Sequence, residues 1–409
     1  MQNENRLVPQ LRFSEFEGVW EEKKLGEVSQ NIGYGMNASA KSFDGVNQYI
    51  RITDIDEASR KFRPNPLSSP EGEIEGNFLL NEGDILFTRT GASVGKSYMY
   101  DKQDGKLLFA GFLIRFNIVK ANPNFIFLQT FLEKYNKWVH VYSMRSGQPG
   151  LNAEEYKSLK ILLPQPKEQQ KIANFLTTID IRIQILEKRK SFLEQYKKGV
   201  MQKIFKQELR FKDENGNAFR RWEKTQLSAI AERVKTKNKI DNQNVLTISA
   251  QLGLVSQLEY FNKSVSAKNL TGYYLIEKND FAYNKSYSKG YPMGAIKRLD
   301  KYDLGVVSTL YICFRFNEKV SLDFMEQYFD AGLQNREIEK VAQEGARNHG
   351  LLNIGVNDFF EIDLTIPSLE EQTKIANFLS AIDKNIALVN TKIEQTKTYK
   401  KGLLQQMFV

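Results

Sequence analysis

The chain has 409 residues, a length that predicts two or three domains, each large enough to bury its own hydrophobic core. Hydrophobic residues at 41% and charged residues at 26% are typical of a globular protein and exclude an intrinsically disordered chain. The longest apolar stretches, such as residues 125–132, are too short to span a membrane, and the first residues do not resemble a signal peptide. With Cys313 as the one cysteine, no internal disulfide can form, so we expect a cytoplasmic location.

The net charge of +9 suggests a nucleic-acid partner, but the distribution of the charge limits that interpretation. Residues 1–163 carry 20 basic and 20 acidic side chains, and residues 207–366 carry 22 and 21. Most of the excess lies in residues 164–206, which carry 10 basic and 4 acidic side chains. If the two nearly neutral segments bind DNA, the basic side chains of each must therefore be concentrated on one face.

The first predicted domain spans residues 1–163 and has an α+β pattern. Short aromatic and β-branched runs at 84–88, 96–101 and 112–119 are broken by Gly, Asn and Asp, which predicts strands joined by turns. A helix is predicted near residues 125–140.

A long helix is predicted over residues 164–206. Apolar residues recur there every seven positions in two rows, and this spacing makes a narrow seam that buries against one partner helix. Pro164 and Pro166 suit a boundary just ahead of a helix start. The rows are Ile172, Ile179, Leu186, Leu193 and Val200, then Leu176, Ile183, Lys190, Lys197 and Ile204, the second one interrupted by lysines.

A second predicted α+β domain at residues 207–366 is followed by a second copy of this helix at 367–409. Residues 163–205 and 366–408 align without a gap, with 18 identities in 43 positions. The repeat extends into the domains, where residues 11–13, 83–89 and 146–152 resemble residues 209–211, 279–285 and 345–353. An internal repeat fixes the architecture, which we predict to be α+β with two pseudo-symmetric α/β domains joined by two long helices.

Motifs that resemble catalytic sites are incomplete in this sequence. Residues 91–97 resemble a phosphate-binding loop but have three residues between the glycines, not four, and a predicted strand follows instead of a helix. Residues 122–125 lack the second proline of an adenine-methyltransferase motif. Two histidines and one cysteine suggest neither a zinc cluster nor a nucleophile–base pair. We therefore predict a turn between strands at residues 91–95 and no catalytic residue.

Cationic loops rich in hydroxyl and amide groups recur at matching places in the two halves and are the candidates for DNA contacts. Arg and Lys can donate to guanine or to phosphates, and Asn and Gln can pair with adenine. A plain solvated turn is the alternative interpretation of each loop. The candidates are Arg89, Thr90, Ser93, Lys96, Ser97, Arg145 and Gln148 in the first half, and Asn284, Lys285, Ser286, Tyr287, Lys289, Arg347 and Asn348 in the second.

The duplicated run Glu-Gln-x-Lys-Ile-Ala-Asn-Phe-Leu at 168–176 and 371–379, with residues 83–91 and 284–292, resembles the specificity (S) subunit of type I restriction-modification systems. The resemblance implies that two target-recognition domains each read one half of a split DNA sequence. It also implies that the two helices pack as an antiparallel coiled coil and hold the domains at a fixed separation.

The resemblance further implies a non-catalytic chain that binds double-stranded DNA, two methyltransferase (M) subunits and restriction (R) subunits, with no membrane partner. We expect no cofactor in this chain, and S-adenosylmethionine, ATP and Mg²⁺ on the partner subunits. A helix of about 40 residues spans roughly 60 Å, which leaves room for half-site centres about 34–36 Å apart.

Two other interpretations stay open at this point. One is a self-contained DNA methyltransferase or nuclease, which would turn over DNA with S-adenosylmethionine and Mg²⁺ in the absence of partners. The other is a coiled-coil scaffold that does not bind DNA, which a salt-dependent DNA shift in the presence of methyltransferase partners would exclude.

Overall fold

The computed structural model describes residues 7–74, 76–144, 149–249, 252–261, 269–288, 290–342 and 352–409. The chain divides into two compact units, Met1–Glu187 with Thr391–Val409, and Lys188–Asn390. Each unit contains one α+β domain and part of both long helices.

The first unit contains short strands followed by helices, as the sequence predicts. Its strands are β1 (Glu21–Lys24), β2 (Ser29–Tyr34), β3 (Ala40–Ser42), β4 (Gln48–Ile50), β5 (Ser68–Pro70), β6 (Asp84–Thr88), β7 (Ser97–Met99), β8 (Leu107–Phe109), β9 (Leu113–Ile118) and β10 (Lys160–Leu163). Its helices are α1 (Pro123–Gln129), α2 (Glu133–Ser143), α3 (Ala153–Lys157) and the start of α4 (Pro166–Phe205). Helix α1 begins where the Asn122 side chain accepts a hydrogen bond from Phe125 N, and Pro123 has no N–H that would need an acceptor.

The second unit repeats this order. Its strands are β11 (Glu223–Gln226), β12 (Ala231–Val234), β13 (Leu246–Ser249), β14 (Gly253–Ser256), β15 (Tyr274–Glu277), β16 (Phe281–Asn284), β17 (Ala295–Arg298), β18 (Leu304–Val307), β19 (Ile312–Phe316) and β20 (Asp363–Ile366). Its helices are α5 (Leu227–Ile230), α6 (Gln257–Phe261), α7 (Leu322–Asp330), α8 (Asn335–Val341), α9 (Val356–Phe360) and the start of α10 (Leu369–Met407).

Both domains are built on a four-stranded antiparallel sheet with the same strand order. The order is β2-β9-β6-β7 in the first unit and β12-β19-β16-β17 in the second. In β6 all five side chains are buried; Ile85 and Phe87 enter the main core, and Leu86 enters a smaller core on the other face. This split follows from the two-residue period of a strand, whose neighbouring side chains point to opposite faces.

The long helices extend both main cores, and in each unit the start of one lies against the end of the other. In the first unit Leu176 and Ile183 of α4 share a core with Leu403 and Met407 of α10. In the second unit Ile204 of α4 shares a core with the first turns of α10. The two helices therefore pack antiparallel, and the seven-residue rows predicted from the sequence form the seam.

Lysines that interrupt the apolar rows pair across this seam. In the second unit Lys197 Nζ lies 2.7 Å from Asp383 Oδ1, and Lys190 donates a hydrogen bond to Asn390 Oδ1 at 2.8 Å. In the first unit Lys400 Nζ lies 2.6 Å from an oxygen of Asp180. A polar group in a helix seam favours the register in which it has a partner.

The glutamate of the duplicated Glu-Gln motif ties each domain to the start of its long helix. Glu168 is fully buried and accepts hydrogen bonds from Arg12 Nε at 2.8 Å and Nη2 at 2.7 Å. Glu371 is equally buried and accepts from the corresponding atoms of Arg210 at 3.1 and 2.7 Å. A two-point arginine–carboxylate contact fixes orientation as well as distance, so the repeat of Arg12 at Arg210 has a structural cause.

The glutamine of the motif joins the start of each long helix to the N-cap residue of another helix in the same domain. The Gln169 side chain accepts from Asn122 N at 2.9 Å and donates to Pro164 O at 2.8 Å. In the second unit Gln372 makes the same two contacts with Ser321 N and Pro367 O, both at 2.9 Å. The motif that carries the family resemblance therefore has a structural role: it fixes the start of each long helix to its domain.

Candidate nucleic-acid interface

The first cationic loop follows the central strand of the first domain. Strand β6 ends at Thr88, and a 3₁₀ turn at Gly91–Ser93 leads towards β7. Gly91 has a φ of +74°, a conformation that favours glycine, and the Thr88 hydroxyl donates to the carbonyl of Ser93. The prediction of a turn between two strands is therefore confirmed. The Ser93 side chain is half-buried.

Arg89 and Thr90 lie on this loop with half-buried side chains. Arg89 N donates to Phe112 O at 3.1 Å, and Arg89 O accepts from Leu151 N at 2.8 Å. Thr90 forms a β-bridge with Gly150. The loop backbone is thus fixed both to the turn before β9 and to the segment that leads into α3.

Lys96 and Ser97, by contrast, are turned into the domain. Lys96 Nζ lies 2.6 Å from Glu57 Oε2 and donates to Ile55 O at 3.2 Å. Ser97 is fully buried, and its hydroxyl is 2.7 Å from that of Thr130. Both side chains are buried and paired, so their positions lend no support to DNA contacts by Lys96 and Ser97, and these contacts stay predictions.

The second domain has an equivalent loop after β16. Asn284 Oδ1 accepts from Ser286 N at 3.0 Å, and this bond closes the start of the loop. Lys285 O accepts from Leu352 N at 3.1 Å. Tyr287 is 66% exposed, whereas the side chains of Asn284, Lys285 and Ser286 are half-buried. Tyr287 is therefore the most exposed of these four side chains, and the other three are partly accessible.

The same backbone contact holds the cationic loop in both domains. Leu151 N donates to Arg89 O, and Leu352 N donates to Lys285 O. Each leucine follows the second candidate loop of its half, so each domain brings the end of that loop against the first one. Five candidates lie outside the described residues, namely Arg145, Gln148, Lys289, Arg347 and Asn348.

Arg89 and Lys285 supply uncompensated positive charge to these loops. Among the residues that the structure describes, neither side chain takes part in an ion pair. Two other lysines do have carboxylate partners: Lys96 pairs with Glu57, and Lys297 pairs with Asp330 at 2.5 Å. An unpaired cation at a surface loop can donate to phosphates or to base acceptors.

Tyr34 is a neighbour of Arg89 that the sequence patterns do not indicate. The Arg89 Cζ lies 4.8 Å from the centre of the Tyr34 ring. The two residues are 55 positions apart, and no motif joins them, so only the pairing of β2 with β9 and of β9 with β6 brings them together.

Metal-binding and membrane-spanning features are absent from the same part of the chain. Within the described residues, no group of three or more His, Cys, Asp or Glu side chains could hold a metal ion. No helix there is long and apolar enough to cross a membrane. Cys313 is buried, and this burial raises the pKa of its thiol to about 12, which keeps the thiol protonated.

A family model described as the type I restriction modification DNA specificity domain matches the chain twice, over residues 17–195 and 219–398. The chain belongs to this family of type I restriction-modification specificity subunits. Each match covers one α+β domain and most of the long helix that follows it.

Two relatives from Methanocaldococcus jannaschii support this assignment. The chain is 23% identical over 350 residues to the type I restriction enzyme MjaVIII specificity subunit, across 80% of this chain and 78% of that protein. It is 27% identical over 192 residues to the putative type I restriction enzyme MjaX specificity subunit, across 46% of this chain and 45% of that protein. The MjaX match therefore spans about half the length of that relative.

A solved structure shares the fold. The S subunit of a type I restriction-modification system from M. genitalium matches with a TM-score of 0.58 at 13% identity, over 98% of this chain and 99% of that one. At such low identity the similarity concerns the fold, namely two domains with long helices.

Proposed function

We propose that this chain is the non-catalytic subunit that reads a bipartite DNA target for a type I restriction-modification complex. Each α+β domain would read one half of the target, and the antiparallel helices would set the gap between the halves. The observation that carries this proposal is the recurrence of the cationic loop. Arg89 and Lys285 follow the central strand of equivalent sheets, and the same leucine contact holds both loops.

Independent reading by two domains is supported by their separate cores. The first core is built around Phe87 and Phe116, and the second is built around Phe281 and Phe314. Truncating a base-reading side chain in one domain should therefore leave the packing of the other domain unchanged. The proposed contacts in the first domain are Arg89, Thr90 and Ser93, and those in the second are Lys285, Ser286 and Tyr287.

A fixed gap between the half-sites is supported by the polar pairs in the helix seam. Sliding one helix past the other would separate Lys197 from Asp383 and leave the largely buried lysine without its carboxylate partner. The apolar rows would tolerate such a slide more easily, because hydrophobic contact has no direction. The seam therefore acts as a spacer with one preferred register.

Recruitment of methyltransferase subunits is supported by apolar side chains that face away from the seam. Ile185 and Tyr399 in the first unit, and Tyr196 and Leu388 in the second, are all more than half exposed. In each unit one of these residues lies on α4 and the other on α10, and large exposed apolar side chains are typical of protein–protein contacts. The repeat relates Ile185 to Leu388 and Tyr196 to Tyr399, so each unit presents an equivalent patch, which fits two copies of one partner.

In this proposal the chemistry belongs to the partners. S-adenosylmethionine would bind the methyltransferase subunits, and ATP with Mg²⁺ would serve the restriction subunits. The side chains of this subunit hold, orient and read the DNA, and they take no part in a reaction step.

The test is to map N6-methyladenine across a genome in cells that carry the matching methyltransferase subunit, with and without this chain. We expect a single split motif with a constant gap, which disappears when the chain is absent. A motif that is continuous, or methylation that persists without the chain, would contradict the proposal. Incubation of the purified chain alone with DNA, S-adenosylmethionine and Mg²⁺ tests the enzyme alternative, and we expect no turnover.

A further inference from the structure

Arg89 differs from several other arginines of the structure in the surroundings of its guanidinium group. Arg12, Arg51 and Arg315 each pair with a carboxylate. Arg89 has no such partner among the described residues, and its guanidinium instead lies over the ring of Tyr34, 4.8 Å from the ring centre. A cation–π contact of this kind restrains the guanidinium beside the ring and leaves its N–H groups available as donors.

Tyr34 is held both at its hydroxyl group and at its backbone. Its hydroxyl accepts a hydrogen bond from Ala153 N at 3.1 Å. Its backbone precedes Gly35, where an added Cβ would lie only 2.3 Å from Ala110 O. The end of β2 therefore approaches the turn before β9 so closely that only glycine fits beside Tyr34.

The Arg89 backbone is held on the same turn. Arg89 N donates to Phe112 O at 3.1 Å, two residues beyond Ala110. Tyr34 and Arg89 are therefore both supported by the turn before β9. Tyr34 is nevertheless 41% exposed, so the pair lies at the domain surface.

We propose that Tyr34 is a positioning residue that presents the edge of the Arg89 guanidinium to a guanine in the half-site read by the first domain. This inference rests on the function proposed above. A guanidinium whose plane is fixed can donate two parallel hydrogen bonds to guanine O6 and N7 in the major groove. A phosphate contact would not need a fixed plane, because a phosphate accepts from many directions.

The proposed positioning of a guanidinium by Tyr34 applies only to the first domain. The equivalent cation of the second domain is Lys285, whose ammonium is a point charge without a planar fork. Substitution of Tyr34 should therefore leave recognition by the second domain unchanged, and Lys285→Ala should affect the other half-site. This difference between the domains supplies an internal control in every measurement.

The test uses the full chain assembled with its methyltransferase subunit and a panel of duplexes in which each base pair of both half-sites is replaced in turn. Tyr34→Leu keeps much of the bulk but removes the aromatic face, and Tyr34→Phe keeps the face but removes the hydroxyl. We expect Tyr34→Leu to reduce discrimination at one G·C pair of the first half-site about tenfold, within the range for a two-point base contact. Tyr34→Phe should retain most of that discrimination.

The other outcomes distinguish failure of this inference from failure of the proposed function. If the unmodified complex discriminates at neither half-site, the proposed function fails and this inference fails with it. If the unmodified complex discriminates but Tyr34→Leu behaves identically at every position, only the role of Tyr34 is overturned. If Tyr34→Leu and Arg89→Ala weaken all duplexes equally and reduce the salt dependence, Arg89 contacts a phosphate and the inference is wrong. Intact discrimination at the second half-site shows that each variant is folded and assembled.

Discussion

Lys197 and Asp383 form an ion pair across the helix seam that the repeat reproduces as Lys400 with Asp180. The N–O distances are 2.7 Å in the second unit and 2.6 Å in the first. Each lysine occupies the same position in its own copy of the helix, as does each aspartate. The lysines that interrupt the apolar rows are therefore matched, and their side chains are no more than 18% exposed.

Reversing the charge of one partner tests whether these pairs hold the helix register. Asp383→Lys should lower the free energy of unfolding by about 1–2 kcal/mol, because it leaves two like charges in a partly buried seam. The double variant Lys197→Asp/Asp383→Lys should recover most of that loss in chemical denaturation. The exposed pair Lys102–Glu82 is a matched control, and its reversal should change stability by less than about 0.5 kcal/mol. Equal effects at the two pairs would count against a role in register.

Lengthening the helix pair should change the gap and not the bases read. Seven residues are inserted into α4 after Glu187 and into α10 after Asn390, so that each unit keeps its own seam contacts. The insertion adds about 10 Å at ~1.5 Å per residue, which is about three base pairs of duplex DNA. Methylation mapping should report the same two half-sites with the longer gap. Altered half-sites at an unchanged gap would contradict the spacer role.

Removing one loop cation should relax one half-site. Arg89→Ala is expected to cost about 1–3 kcal/mol in binding of cognate duplex and to relax specificity in the first half-site only. Lys285→Ala is the counterpart for the second half-site. Competition with duplexes altered in one half at a time measures both effects. If either variant relaxed both half-sites, the domains would not read independently.

Charge placed on the exposed helix patches should block partner binding without unfolding the chain. Ile185→Asp with Tyr399→Asp should abolish docking of one methyltransferase copy in the first unit, because desolvating a carboxylate against an apolar surface is unfavourable. Analytical ultracentrifugation should then find one partner copy per chain instead of two. Thr178→Asp, at an exposed polar position of the same helix, is the control and should retain both copies.

The half-buried Glu326 should make the second domain less stable as pH rises. Burial and then repulsion from Asp330 raise the pKa of Glu326 to about 7 from its ordinary value of 4.5, against the attraction of Arg298. Because the folded state holds this proton more tightly than the unfolded state, the associated stability is lost as the pH increases from about 4.5 to 7.

Glu326→Gln should therefore be more stable than the unmodified chain at pH 8, by about 1 kcal/mol once solvent screening is allowed for. The two proteins should be equally stable near pH 4.5. Thermal unfolding at both pH values measures the difference, with the exposed Glu318→Gln as the control. An advantage of the same size at pH 4.5 would show that the gain does not come from ionisation.

Much of the architecture could be predicted because it depends on local periodicity. The seven-residue rows predict helices α4 and α10 and the side chains that enter their seam. The run at residues 84–88 corresponds to β6, and the helical stretch near 125–140 corresponds to α1 and α2. The internal repeat also predicts that the two domains share one fold, since the same pattern in both halves should form the same kind of sheet.

The structural role of the Glu-Gln motif was not predicted, although a signal for it exists. Arg12 and Glu168 are 156 residues apart, and Arg210 and Glu371 are 161 apart. Both pairs recur in the repeat, so a buried pair could have been inferred from an arginine and a glutamate that are duplicated together. The sequence alone still leaves open whether such residues meet each other or a ligand.

The two-fold repeat, the helix seam and the family can be recognised from the amino-acid sequence, because a regular apolar spacing and a gapless duplication do not depend on distant contacts. The surroundings of individual loop residues become known only from the folded chain. Lys96 and Ser97 look like the residues around Arg89, but Glu57 and Thr130 hold them inside the domain. Within the described ranges Arg89 lies over the Tyr34 ring and has no carboxylate partner, so its guanidinium stays available. The orientation of a polar side chain depends on the partner that the folded backbone brings within reach. In these cases that partner lies tens of residues away along the chain.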